Sequence, residues 1–266
     1  MSIFVKLIDD KVALLPILFS PYLVGIVVMS PWLKKHHAHF ATTHLPWHLG
    51  RALCGLGALG CFYFAIYKIS LGTATTLYTT APLFIPLIAL FVFRTWISHK
   101  KLLGIGIGFV GVILILHPSV NFFSWGIVIG LMSGVFGAGV WVCARKLSFM
   151  TSSTTIAWMY NLIAFAILFI PTFISWQPIT NPILWYYLLA GGCFASLGQL
   201  LAMIAVKYAH VAKVGLTSYF QVVVNILFGW AIWNEIPSWW GLSGILLVVI
   251  GSMITILDRS ISSKDR

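Results

Sequence analysis

The sequence predicts an all-α polytopic membrane protein, an inverted-repeat helical bundle, and three observations lead there. Of 266 residues, 60% are hydrophobic and only 8% charged, with a mean hydropathy of +1.00. A soluble domain carries roughly a quarter of its residues charged. Second, apolar runs near the ~20 residues that a helix needs to cross a ~30 Å hydrocarbon core recur along the whole chain. Third, the 16 Lys and Arg residues fall in short runs between those stretches rather than along one basic face, which reads as membrane topology and not as a nucleic-acid surface. The net charge of +11 therefore says nothing about the charge of a substrate.

Nine spans are expected, at 12–30, 50–67, 71–93, 102–117, 123–144, 154–175, 182–206, 211–234 and 238–257, each bounded by charge, Pro or Gly. The first begins beyond Met1 to Asp10, where Lys6, Asp9 and Asp10 make insertion unfavourable. The third carries Pro82 and Pro86, each of which forfeits a backbone hydrogen bond. The fourth is short, and its run Gly104-Ile-Gly106-Ile-Gly108 suits close helix packing. If the spans alternate, thirteen basic residues share one face: Lys34, Lys35, Arg51, Arg94, Lys100, Lys101, Arg145, Lys146, Lys207, Lys213, Arg259, Lys264 and Arg266. The other face holds Lys6, Lys11 and Lys68. The positive-inside rule then makes the thirteen-residue face cytoplasmic, with the C-terminus inside and the N-terminus outside.

The stretches near 60–116 and 198–257 read alike at an offset of about 140 residues. Each has a helix ending in a Tyr/Lys pair (Tyr67-Lys68, Lys207-Tyr208), then a helix with a central Tyr, a polar turn, and a Gly-bearing last span. A repeat with an odd number of spans inserts its second copy upside down, as in secondary transporters.

The motifs that carry a specific resemblance are Arg51-Ala-Leu-Cys-Gly-Leu, Phe62 through Leu77, Ala81-Pro82-Leu-Phe and Gly108 through Pro118 in the first half. In the second they are Gly198-Gln199, Ala205 through Ala209, Tyr219, Gly229-Trp230, Asn234-Glu235-Ile-Pro237 and Gly241. Over nearly its whole length the chain resembles an EamA-type member of the drug/metabolite transporter superfamily, most of all the subgroup associated with uptake of small metabolites including S-adenosylmethionine. The resemblance implies two halves, 1–118 and 119–258, followed by a cytoplasmic tail at 259–266. It implies ten helices, and Phe4-Val-Lys6-Leu-Ile resembles the tail of a first one whose body is missing, so a truncated or misassigned start is expected. The chain departs from the pattern at Arg94, where many relatives carry Glu while the second copy keeps Glu235, and at Phe19-Ser-Pro21-Tyr, where relatives often carry Arg.

Charge inside a bilayer costs about 2.5–3.5 kcal/mol per residue on insertion scales and marks ion or proton pathways. No charge is expected at mid-span, since Asp9, Asp10, Glu235, Asp258 and Asp265 all lie at edges or in tails. That speaks against a carboxylate-driven proton cycle. The candidate substrate contacts are instead neutral and aromatic: Tyr78 and Thr80, ahead of the prolines on a helix that the resemblance places at the central site; Trp141; Tyr160 and Asn161; Gln199; and Tyr219, Gln221 and Asn225. Positions 218, 221 and 225 share one helical face, so Ser218, Gln221 and Asn225 are expected to form a polar stripe. For each amide, bonding to another helix is the competing role. Trp230 is a further stacking candidate, Trp158 a weaker one, and Trp239 and Trp240 are belt residues.

His36, His37, His39, His44 and His48 read more simply as a basic headgroup-facing loop than as a metal site. His117 and His210 lie at helix ends. Cys54, Cys61, Cys143 and Cys193 have no CxxC spacing and read as small packing residues. No strand-to-helix nucleotide or hydrolase fingerprint occurs, so neither enzyme activity nor a cofactor is expected. The functional expectation is a secondary transporter in the cell's inner (cytoplasmic) membrane, moving an amino acid, nucleoside or S-adenosylmethionine-like metabolite by alternating access. Its partners are the small-molecule substrate and the lipid bilayer, with no nucleic acid and with homodimerisation left open. The alternatives are a non-transporting fragment, and a membrane-embedded lipid enzyme built on Glu235 with His117 or His210.

Overall fold

The computed structural model describes residues 2–8, 12–35, 44–93, 98–115, 125–176, 181–208, 211–235 and 238–257; for 31–35, 93, 203, 206–208 and 211–219 it describes the backbone path alone. Eleven α-helices follow in chain order among the described residues: α1 (Ser2–Ile8), α2 (Leu14–Lys35), α3 (Leu45–Lys68), α4 (Leu71–Tyr78), α5 (Ala81–Phe93), α6 (His99–Ile115), α7 (Trp125–Ser148), α8 (Ser153–Ile174), α9 (Pro182–Tyr208), α10 (Val211–Trp233) and α11 (Trp239–Leu257). Among the described residues, each expected apolar run overlaps helix. Among the described residues six stretches are long and apolar enough to cross a membrane: Leu45–Lys68, Leu71–Val92, Trp125–Ser148, Ser153–Ile174, Pro182–Ala202 and Trp239–Leu257. Leu14–Ser30 and Phe220–Trp233 are shorter apolar helices. The structure thus establishes a polytopic helical bundle, with a smaller set of unambiguous spans than the nine expected.

The expected single span 71–93 is two helices. Pro82 cannot donate to Tyr78, and the helix breaks at Thr79–Thr80. The break is closed internally: Thr79 Oγ1 donates to Thr76 O at 3.0 Å, Thr80 Oγ1 to Leu77 O at 2.6 Å, and Thr80 N to the same carbonyl at 3.2 Å. The threonine hydroxyls thus satisfy the Thr76 and Leu77 carbonyls beside the break, as an apolar surrounding requires.

The most extensive pairings are α6 with α11 and α3 with α7, followed by α2 with α8 and α9. Glycine explains the first. A β-carbon on Gly111 would stand 2.6 Å from Gly244 O, and one on Gly104 would stand 2.7 Å from Gly251 O. A β-carbon on Gly251 would overlap Gly104 O and Gly108 N. Backbone thus lies on backbone, the small-residue packing expected in lipid. Gly106 does not take part: nothing lies within 4 Å of where its β-carbon would be.

Two sequence expectations need correction. The sequence places Arg51 at the edge of the 50–67 span, but α3 begins at Leu45, which sets Arg51 more than a turn inside the helix and leaves it only 2% exposed. The described spans therefore do hold a buried charge. The stripe of Ser218, Gln221 and Asn225 is not uniform either: Asn225 is 2% exposed while Gln221 faces outward, because α4 covers only the Asn225 side of α10. The side chain of Ser218 lies outside the described residues.

Candidate functional site

Two polar clusters lie inside the bundle. The first is built on tyrosine. Tyr22 on α2, Tyr63 on α3 and Tyr160 on α8 are buried in one apolar cluster, with Tyr78 of α4 packed against it. The Tyr22 and Tyr160 hydroxyls lie 3.1 Å apart, either able to donate, and their rings meet edge to face at 5.5 Å. The Tyr78 ring lies tilted against Phe62, centroids 4.8 Å apart.

Arg51 completes this cluster. Its guanidinium carbon lies 4.5 Å from the centre of the Tyr160 ring, and Nη1 donates to Ile156 O at 2.9 Å. Cation–π attraction of this kind strengthens on desolvation. Local geometry admits the arrangement because Gly55, one turn on from Arg51, gives way to the Tyr160 ring; a β-carbon there would overlap it. The neighbouring Asn161 is 1% exposed, donates from Nδ2 to Met29 Sδ at 3.3 Å, and lies against Gly25. Small residues on α2 and α3 thus seat the two polar side chains of α8.

The second cluster is a closed circuit through α1, α4 and α10. Ser2 Oγ donates to Asn225 Oδ1 at 3.0 Å, and Asn225 Nδ2 donates to Thr75 Oγ1 at 2.8 Å. Thr75 Oγ1 donates to Leu71 O at 2.7 Å, and Leu71 N donates to Glu235 Oε2 at 2.9 Å. Glu235 Oε1 pairs with Lys6 Nζ, four residues from Ser2 on the same face of α1. Lys6 also lies 5.2 Å from the centre of the Trp233 ring. The chain reaches this position by turning back after α10, with Asn234 left-handed at φ 52°, where Asn is tolerated more readily than most residues. Among the described residues Glu235 is the sole acid, and it is fully engaged here.

The structure therefore distributes the expected site residues. Tyr78 and Tyr160 join the tyrosine cluster, Asn161 sits beside it, and Asn225 belongs to the second circuit. Thr80 is buried and presses on Gly134 of α7. Trp141 packs with Met29, Leu147 and Ile156 in a separate core. Gln199 is partly buried on α9, with Nε2 enclosed and lacking a hydrogen-bond partner among the described residues. Gln221 faces outward, as does Trp230, at 55% exposed. The side chain of Tyr219 lies outside the described residues, as do His36, His37, His39, His117 and His210. Trp239 is 86% and Trp240 52% exposed, the placement expected of belt residues. Among the described residues no three His, Cys, Asp or Glu side chains gather as a metal site.

Arg51, Tyr22, Lys6 and Ser2 were not among the sequence candidates. Arg51 stood close to a basic loop, and the others acquire meaning only from partners more than 100 residues away.

Comparison with known proteins gives these clusters a context. The sequence model of the EamA-like transporter family matches residues 1–117 and again residues 124–257. The chain is 27% identical over 256 residues to the pseudopaline exporter CntI of Pseudomonas aeruginosa, covering 94% of this chain and 89% of that one. It is 24% identical over 251 residues to a riboflavin transporter of Vibrio cholerae, covering 92% and 84%. A crystal structure at 17% identity superposes with a TM-score of 0.62 over 96% of this chain and 94% of that chain, a likeness of fold.

Proposed function

The chain belongs to the EamA-like transporter family, and from that premise we propose that it is a secondary transporter that carries a small organic metabolite across the cytoplasmic membrane by alternating access. Its family and relatives are transporters and not enzymes, so the lipid-enzyme alternative is set aside. The reading takes nine spans, two halves at 1–118 and 119–258, and a cytoplasmic C-terminus. Two separate family matches on one chain support the two halves, and the overlap of each apolar run with helix among the described residues supports the span count.

The observation that carries the proposal is the meeting of Tyr22 and Tyr160, one from each half, beside Asn161 and under Arg51. A polar and aromatic cluster shared by two halves is where an alternating-access carrier holds its cargo, near the midplane. Rings and amides there recognise ligands with a flat or heteroaromatic part and both donor and acceptor groups. Amino acids, nucleosides and S-adenosylmethionine-like molecules fit that description. Tyr78, Tyr160, Asn161 and Gln199 are the contacts most directly implied; Thr80, Trp141, Tyr219, Gln221 and Asn225 would act by shaping the helices around them. The circuit of Lys6, Glu235 and Leu71 would close the outer side.

The test is counterflow into vesicles reconstituted with the purified chain, using labelled compounds of each class. Saturable exchange of one class, lost in Asn161→Ala and weakened in Tyr160→Phe proteins that still fold, supports the site. Exchange that both variants leave unaltered places the cargo elsewhere.

A further inference from the structure

On the outer surface of α6, His99, Leu102, Leu103, Gly106, Ile107 and Val110 recur at helical spacing and, with Leu247 of α11, line an open groove of about 630 Å³. The glycine at its centre is informative. Gly104, Gly108 and Gly111 are required where α6 touches neighbouring helices, yet Gly106 meets nothing within 4 Å. Glycine inside a helix costs about 0.5–1 kcal/mol relative to alanine, so here it makes a hollow without a packing reason inside this chain. The flanking Leu102, Leu103 and Val110 are 58%, 67% and 51% exposed, a surface suited to hydrocarbon and not to water.

One end of the hollow is basic. His99 lines it and Lys100 is exposed beside it in the first turn of α6, which has no acidic residue. The partial positive charge of a helix N-terminus adds to theirs. From His99 to Val110 the helix rises roughly 16 Å at ~1.5 Å per residue, the depth of one leaflet of a ~30 Å hydrocarbon core.

We propose that this groove is a binding site for an anionic phospholipid, with one acyl chain lying along the Gly106 hollow and the phosphate held at His99 and Lys100. Apolar length, hollow and basic end match such a lipid part for part. The site is separate from the tyrosine cluster and requires only that the chain lie in a membrane.

The experiment is thermal unfolding of the delipidated, purified chain in a neutral detergent, titrated with phosphatidylglycerol or with phosphatidylcholine of the same acyl chains. Phosphatidylglycerol is expected to raise Tm at a concentration about fivefold lower than phosphatidylcholine, the order of one surface lysine's attraction for anionic lipid. Gly106→Leu, which fills open space, is expected to fold and to lose the lipid-induced shift. The double variant His99→Gln and Lys100→Gln touches only exposed positions and is expected to keep a shift but lose the headgroup preference. Equal responses to the two lipids, a preference unchanged in both variants, or the same shift with inorganic phosphate alone would each overturn the proposal. So would a dimer in detergent that Gly106→Leu dissociates, since a second copy would then occupy the groove.

Discussion

Lys6 and Glu235, separated by 229 positions in sequence, form an ion pair in which Glu235 simultaneously accepts from Leu71 N at the start of α4. The pair is only partly exposed, at 11% for Lys6 and 25% for Glu235, so it is neither a screened surface contact nor a dry one. Removing one partner of an enclosed pair leaves the other uncompensated, which is where most of the cost arises. Glu235→Gln is expected to destabilise by about 1–3 kcal/mol, and more than Lys6→Gln, because the Leu71 N–H loses a charged acceptor as well. Thermal unfolding in detergent measures both. The exchange Lys6→Glu with Glu235→Lys should restore only part of the loss, since lysine cannot accept from Leu71 N.

The α6–α11 seam separates glycines that are needed from one that is not. Gly251→Leu is expected to cost about 1–3 kcal/mol as an overpacked contact, because backbone atoms of Gly104 and Gly108 occupy the space. Gly106→Ala should be neutral or stabilising by up to about 1 kcal/mol from helix propensity alone. Equal effects at the two positions would contradict the backbone-on-backbone packing.

Arg51 should not tolerate lysine. Its planar guanidinium both covers the Tyr160 ring and reaches Ile156 O, and an ammonium on a flexible stem does not reproduce that fork and stack. Arg51→Lys is expected to lower Tm clearly, whereas Arg145→Lys, at an exposed position, should leave it unchanged.

Asn225 and Thr75 act as a unit. Thr75→Val keeps the shape but removes the acceptor of Asn225 Nδ2, leaving a buried donor unpaired at about 1–3 kcal/mol. The double variant Thr75→Val with Asn225→Leu should cost less than the sum of the two singles, a coupling that a double-mutant cycle reads directly.

The helices were legible in the sequence because lipid leaves them little choice: each apolar run had to be a helix that satisfies its own backbone. The Thr79–Thr80 break was foreshadowed by Pro82, and the close seam by Gly104 and Gly108. Gly106, in the same motif, could not be told apart from them, because which glycine faces a neighbour depends on how α6 is rotated. Arg51 was hidden for a related reason. Helix α3 starts at Leu45, well before the apolar run does, so a charge at the edge of that run is buried. Tyr160, Asn161 and Tyr78 were found from residue type and position on a span. Their partners Tyr22 and Met29, and the pairing of Lys6 with Glu235, follow from how distant helices meet, which no local pattern encodes.

The central claim, that a small metabolite binds at the Tyr22–Tyr160 junction, is tested most directly by ligand-dependent thermal stabilisation of the purified chain. The panel would hold amino acids, nucleosides, purine bases, S-adenosylmethionine, riboflavin and quaternary amines. A ligand that binds only the folded state stabilises it by about 2.7 kcal/mol at a hundredfold excess over its Kd. The account predicts a concentration-dependent rise in Tm from one chemical class, abolished in Asn161→Ala and weakened in Tyr160→Phe. A rise of the same size in both variants would contradict it, as would a cooperatively melting protein that no class of compound stabilises.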